Sequence, residues 1–216
     1  MISNLRRVIS RLEKRSKIEK SGNVNLSKQS KMLAITYETG LFFNILLKAM
    51  NAQHVLEVGT SVGYSALWLE EAISHNKTKI GRRLDSHKGL ITIENDPIKI
   101  KEASKNFSEA GVIDEIDIME GSALENLHKL SRETPENKGF FDFVFFDADK
   151  ENLIQYFELV LPMLRVGGII ATDNVTYPEE YRSVMRSFLR YVRDKPNVQS
   201  VTIPIGHGEE ITTKCI

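Results

Sequence analysis

The segment Glu57-Val58-Gly59-Thr60-Ser61-Val62-Gly63-Tyr64-Ser65 passes from an apolar run, through a glycine-punctuated turn, into a helical pattern. A strand that turns tightly into a helix aims backbone N–H groups at a ligand beyond the carboxyl edge of a sheet. Gly59 and Gly63 permit close approach to that ligand. Ser61, however, stands where a dinucleotide fingerprint has the glycine that lets a pyrophosphate touch the backbone. The loop therefore reads as a site for a nucleotide-like ligand without a pyrophosphate.

The surrounding chain supplies the sheet. Short apolar runs over 54–59, 90–94, 116–121, 141–148 and 167–173 predict strands buried on both faces. Helical patterns over 64–74, 97–110, 123–132 and 151–164 alternate with them, which is the βαβ order of a parallel sheet. Pro97 suits a first helical turn, and Gly111 suits the position just past a last one. A further amphipathic helix carries Tyr181, Val184, Met185, Phe188, Leu189 and Val192. Strands over 198–205 and 210–216 follow, joined through Gly206-His207-Gly208, so short a link that they must pair antiparallel. The expected fold is α/β and Rossmann-like. It is a mostly parallel seven-stranded sheet with a C-terminal antiparallel hairpin and flanking helices, the class I methyltransferase layout.

Before the sheet, Leu5, Val8, Ile9 and Leu12 mark one amphipathic helix, and Leu41, Phe42, Ile45, Leu46 and Ala49 a face of another. Residues 1–50 are read as a helical cap or dimerisation segment, and 51–216 as a single catalytic unit. The polar stretch 74–88 is read as a surface insertion.

A length of 216 residues suits one α/β domain, and 41% hydrophobic with 27% charged residues is ordinary for a soluble enzyme. The formal net charge of +0 excludes a global field toward nucleic acid or an anionic membrane. The basic residues Arg6, Arg7, Arg11, Lys14, Arg15, Lys17 and Lys20 read as a solvated helix face rather than an arm for a polyanion. Cys215, the sole cysteine, rules out an internal disulfide and is expected in the core. With no apolar run long enough for a signal peptide or membrane span, a cytoplasmic enzyme without a membrane partner is expected. The scattered histidines are read as surface or turn residues, and Trp68 as packing.

S-adenosylmethionine lacks a pyrophosphate, and its amino-acid end can be held by an acid and backbone amides. Glu57 is placed for that role. Glu94, at the end of the second strand, suits the two ribose hydroxyls. It lies further along than the usual spacing of about 20 residues because of the 74–88 stretch. Ser122 and Ala123 follow the third strand, at a natural edge for adenine.

The fourth strand ends Phe146-Asp147-Ala148-Asp149-Lys150 and the fifth ends Thr172-Asp173-Asn174. On adjacent strands these tips lie about 5 Å apart. Asp147, Asp173 and Asn174 then form a hard, partly open oxygen site suited to Mg²⁺, Mn²⁺ or Ca²⁺. A divalent cation holding both oxygens of a vicinal diol lowers their pKa. Lys150, whose own pKa that cation should depress, is placed to take the proton.

The motifs Glu-Val-Gly-Thr-x-x-Gly-Tyr-Ser, Asp-Ala-Asp-Lys and Asp-Asn, with the turn at 204–208, resemble the cation-dependent O-methyltransferases of the caffeoyl-CoA and catechol O-methyltransferase group. By that resemblance the metal ligands fall on Asp147, Asp173 and Asn174, the base on Lys150, and an acceptor contact on Asp149. Cofactor contacts fall on Ile35, Glu57, Gly59, Thr60, Ser65, Glu94, Ala123 and Asp147, and Gly63 completes the loop. The resemblance also implies a homodimer and a small hydroxylated acceptor, catechol-like or otherwise vicinal dihydroxy. In one place the chain departs from the group. Plant and many bacterial members carry Thr-Leu-Trp and a long insertion after Asp-Asn, whereas here Val175-Thr176-Tyr177-Pro178 leads almost directly into a helix. The acceptor pocket is therefore expected to be shorter or more open, with the N-terminal helices supplying more of its wall, and caffeoyl-CoA is not supported as substrate. Two other readings of the fold are an N-methyltransferase acting on protein or RNA and a non-catalytic binding module. The intact Asp-Ala-Asp-Lys and Asp-Asn set argues against both.

Overall fold

The computed structural model describes residues 3–22, 30–80, 88–132 and 139–216. Its elements, in chain order, are α1 (Asn4–Lys20), α2 (Tyr37–Ala49), β1 (Val55–Val58), α3 (Tyr64–Ile80), β2 (Leu90–Glu94), α4 (Pro97–Ala110) and β3 (Ile116–Glu120). Then come α5 (Ala123–Arg132), β4 (Phe141–Phe146), α6 (Leu153–Val160), β5 (Leu164–Thr172), α7 (Arg182–Arg193), β6 (Val198–Ile203) and β7 (Glu209–Lys214). The strands form one seven-stranded sheet in the order β3-β2-β1-β4-β5-β7-β6. β1 to β5 are parallel, and β7 runs antiparallel to both β5 and β6, so it alone opposes the others. Adjacency in sequence predicts the β6–β7 pairing but not the insertion of β7 beside β5.

The chain order reverses between β1 and β4, and both strands point their carboxyl ends toward the same edge, where α/β sheets bind ligands. Alternation along β4 divides the core: Phe143 and Phe145 pack with α1 to α4, and Val144 and Phe146 with α5 to α7. That two-sided burial explains the continuous apolar run Phe-Asp-Phe-Val-Phe-Phe.

The helix ends follow local chemistry. Ser3 and Thr36 cap α1 and α2 by accepting from the backbone N–H groups of Arg6 and Thr39. Asp96 caps α4, Pro97 opens it, and Gly111 closes it in the left-handed region.

Several expectations are corrected. Residues 75–80 of the presumed insertion extend α3, while 81–87 lie outside the described residues. The helix expected over 151–164 spans only Leu153–Val160, because Pro162 follows and Leu164 already opens β5. Cys215 is exposed, since it follows the last residue of β7 and passes out of reach of the flanking helices. The stripe Leu41, Phe42, Ile45, Leu46 and Ala49 is not the buried face of α2. Phe43 and Leu47 are buried, with Gly40 and Asn44 beside them, and Ile45 is 57% exposed. Gly40 lies so near Trp68 that a Cβ there would stand 2.6 Å from the indole, and the Asn44 amide donates to the Trp68 carbonyl at 2.9 Å. Small and polar residues thus let α3 approach closely, and close approach rather than hydrophobicity chose the face. Trp68 is buried in that contact as packing.

Candidate functional site

β1 ends at Val58 and the chain turns through Gly59 at φ +106°. A Cβ at Gly59 would stand 2.2 Å from the Asp147 carbonyl oxygen, so the touching tips of β1 and β4 demand glycine. The N–H groups of Gly59 and Thr60 both donate to the Ile93 carbonyl, at 3.0 and 3.2 Å. Ser61, itself at φ +46°, donates its N–H to Glu94 Oε2 at 2.7 Å and its hydroxyl to the Met32 carbonyl. That second bond ties the segment bearing the buried Ile35 to the loop. Gly63 faces Phe107, which a Cβ would strike at 2.4 Å.

Glu57 is fully buried. Its Oε2 accepts from Thr92 Oγ1 at 2.5 Å, and Thr92 in turn shares a 2.5 Å hydroxyl contact with Thr60. Its Oε1 has no hydrogen-bond partner. Burial pushes the Glu57 carboxyl up to about 7, against the opposing pull of the Ser65 and Thr92 hydroxyls. Glu94 Oε1 accepts from the Asn95 and Asp96 N–H groups at 2.9 and 3.1 Å. The Gly121 N–H donates to the Glu94 carbonyl at 2.8 Å and brings Ala123, the first residue of α5, to the same edge. The sequence-predicted cofactor residues are therefore gathered around one loop.

On the other side of that loop, Phe146 of β4 pairs with Thr172 of β5, so Asp147 and Asp173 are the next residue on each strand. Backbone bonds fix both: the Asp147 N–H donates to the Val58 carbonyl at 2.9 Å, and the Asp173 N–H to that of Phe146 at 3.1 Å. Asn174 turns at φ +67° and donates its N–H to Asp173 Oδ1 at 2.6 Å. Lys150 is buried, with Nζ 3.4 Å from Asp147 Oδ1. Burial first, and then the Asp173 charge, push the Asp147 carboxyl up to about 7, with Lys150 pulling the other way. Two buried acids against one lysine leave this edge short of positive charge, which fits a divalent cation on hard oxygen donors. Among the described residues, no three His, Cys, Asp or Glu side chains stand close enough to enclose a cation on their own. The predicted set accordingly relies on the Asn174 amide beside its two carboxylates.

Asp149 is not turned into this group. Its carboxylate accepts from the Tyr156 hydroxyl and from Asn152 Nδ2, the latter at 2.6 Å, within its own turn. The sequence reading gave two further residues at this edge no role in the site. His207 lies in the β6–β7 turn, its Nδ1 3.4 Å from Asn174 Nδ2. Glu209 is fully buried, and burial together with the neighbouring Asp173 and Asp147 pushes its carboxyl up to about 11. Glu209 and Glu210 are both buried on β7, and nothing in the sequence distinguishes the one that faces this edge.

Four basic residues of α1 form ion pairs. Arg6 pairs with Glu71, Arg11 with Glu109, Arg15 with Glu19 and Glu102, and Lys17 with Glu13. The pairs with Glu71, Glu109 and Glu102 secure α1 to α3 and α4. A cleft of about 210 Å³ lies between α1 and residues 35–38, lined by Ile35 but by none of Asp147, Lys150 or Asp173. Among the described residues, no helix is long and apolar enough to cross a membrane.

A family model described as O-methyltransferase matches residues 11–215. A caffeoyl-CoA O-methyltransferase of Nicotiana tabacum is 31% identical over 194 residues, covering 82% of this chain and 75% of the relative. A catechol O-methyltransferase of Niastella koreensis is 35% identical over 143 residues, covering 66% of this chain and 58% of the relative. Among solved structures, the O-methyltransferase TomG of Streptomyces achromogenes in complex with SAM is 25% identical, with a TM-score of 0.72. It is matched over 96% of this chain and 98% of that one. Because the family model spans the chain from within α1 to past the end of β7, loop and strand tips included, the chain belongs to the O-methyltransferase family.

Proposed function

We propose that this S-adenosylmethionine-dependent O-methyltransferase acts on a hydroxyl of a small catechol-like or other vicinal dihydroxy acceptor, with a divalent cation at Asp147, Asp173 and Asn174 and Lys150 as the general base. The observation that carries the reading is the β4–β5 register, which sets Asp147 beside Asp173, with the buried Lys150 against Asp147. A cation bound there supplies charge that lowers the acceptor's hydroxyl pKa. Lys150 takes and holds the proton that the hydroxyl releases. The loop from Glu57 to Ser65 holds the cofactor in line, and the barrier falls mainly through that alignment. The helices α1 and α2 pack on the side of the sheet that carries α3 and α4, and the half-open apolar stripe at Ile45 on α2 supports a homodimer contact. The test is methyl transfer to a panel of catechols and other hydroxylated acceptors, with and without EDTA. Turnover that survives both chelation and Asp173→Ala would remove the metal-assisted step, and methyl appearing only on protein or RNA would remove the small acceptor.

In this reading Glu57 receives the cofactor's amino group at its unpartnered Oε1. Only the carboxylate can do so, and at about 7 the group is half protonated at neutral pH. Affinity for S-adenosylhomocysteine is expected to rise with pH through 7, by roughly tenfold from pH 6 to pH 8, and to be flat in Glu57→Gln. Calorimetric titration at the two pH values decides it. The sign for stability is opposite. An acid whose pKa is raised on folding binds its proton more tightly in the folded state. Glu57 therefore costs the cofactor-free protein stability as pH climbs from 4.5 to about 7.

A further inference from the structure

β7 opens with two acids, Glu209 and Glu210, both fully buried on a strand whose successive side chains face opposite ways. They are treated very differently. Glu210 is saturated: Arg193 donates to it twice, at 3.0 and 2.9 Å, Ser200 donates at 2.6 Å, and Thr202 donates as well. Glu209 has no hydrogen-bond partner in good geometry at either carboxylate oxygen. Thr172 of β5 pairs with Glu210, so Glu209 falls beside Asp173, with Asp147 and Thr39 also within its reach.

A buried carboxyl without partners is costly, and native structures keep one only where something else repays it. Among the described residues, the groups that act most strongly on Glu209 are the two acids and the Thr39 hydroxyl, and none of them is basic. In the ion-free protein that arrangement is unfavourable. A dication at the strand tips reverses the local field and makes a third acid favourable. Because these side chains do not enclose a cation on their own, the third acid reaches the ion at one remove, through its hydration.

We propose that Glu209 is a positioning residue of the cation site, an outer-sphere acid that faces a cation-bound water beside Asp173 and raises affinity for divalent ions. This rests on the metal-assisted reading above. It goes beyond the Asp147, Asp173 and Asn174 set by placing part of the cation's binding on β7, a strand that carries none of the loop motifs.

The experiment is Mn²⁺ titration of the full chain, followed by the electron paramagnetic resonance signal of free Mn²⁺, for wild type, Glu209→Gln and Glu209→Leu. Thermal melts are recorded in EDTA and in Mn²⁺. Both substitutions are expected to weaken Mn²⁺ by roughly 10- to 100-fold, the usual effect of removing an outer partner of a metal site. In EDTA, Glu209→Leu is expected to melt at or above wild type, because it removes the unpartnered carboxyl. In Mn²⁺ it gains less than wild type does. A merely structural glutamate would not give that crossing. Should the leucine variant fail to fold, the isosteric glutamine variant carries the test. Wild-type Mn²⁺ affinity in the folded variants would overturn the role of Glu209 and leave the metal reading intact. No Mn²⁺ binding by the wild type itself would overturn both.

Discussion

Lys150→Met is expected to lower the rate of methyl transfer to a catechol by roughly 10²- to 10⁴-fold, the usual worth of a positioned general base. The methionine keeps the length and apolar stem of a buried side chain, so the tip of β4 retains its shape. What is lost is the one basic group at 3.4 Å from Asp147. The loss should fall on kcat, since the base acts in the chemical step and not in holding the acceptor. Mn²⁺ affinity should hold or rise, because a lysine next to a dication repels it. Lys150→Arg is not expected to rescue the rate, for a guanidinium cannot give up its proton to become a base. Single-turnover rates and Mn²⁺ titration on the same preparations make the comparison. A methionine variant within threefold of wild type would assign the proton to another acceptor. Equal loss of Mn²⁺ binding would mean that Lys150 shapes the site and does not act as its base.

What could be read from the sequence follows from how local each feature is. The βαβ order, the ends of α4 at Pro97 and Gly111 and the glycine turn at Gly59 are each set by neighbours a few residues away, and each stands in the structure as expected. The face of α2 was misjudged because its partner, Trp68, lies more than twenty residues off and selects Gly40 over bulk. Glu209 escaped for a related reason. Consecutive acids on a strand look alike in sequence, and only the insertion of β7 beside β5 sends one toward Asp173 and the other toward Arg193. The strand tips at Asp147 and Asp173 lay between these cases. Their motifs were visible, but their adjacency depended on β4 pairing with β5, which the right-handed order of parallel units made predictable. The acceptor wall is the least legible part. The sequence expects the N-terminal helices to supply more of it beside the short Val175–Pro178 link, and no single motif encodes how those segments meet.

Gly59→Ala is expected to abolish S-adenosylhomocysteine binding, by more than roughly 100-fold, and to lower stability by about 3 kcal/mol or more. Two costs coincide at this residue. A side chain at φ +106° is strained whatever the space around it, at about 1–3 kcal/mol. The new methyl would also stand 2.2 Å from the Asp147 carbonyl oxygen and 2.7 Å from its carbon. Neither partner can yield cheaply, because the Asp147 N–H is bonded to Val58 and the Gly59 N–H to Ile93. The tips of β1 and β4 must separate, which moves the cofactor loop and the first predicted metal ligand together. At roughly 2–4 °C per kcal/mol for a chain of this size, the melting point should fall by about 6–12 °C. Gly111→Ala supplies the control: φ there is +76°, but no atom lies within 4 Å of the added carbon. It should cost only about 1–2 kcal/mol of left-handed strain and leave ligand affinity unchanged. Calorimetric titration and thermal melts of both variants separate strain from collision. If Gly59→Ala binds S-adenosylhomocysteine as Gly111→Ala does, the contact between the loop and Asp147 is not what holds the cofactor site together.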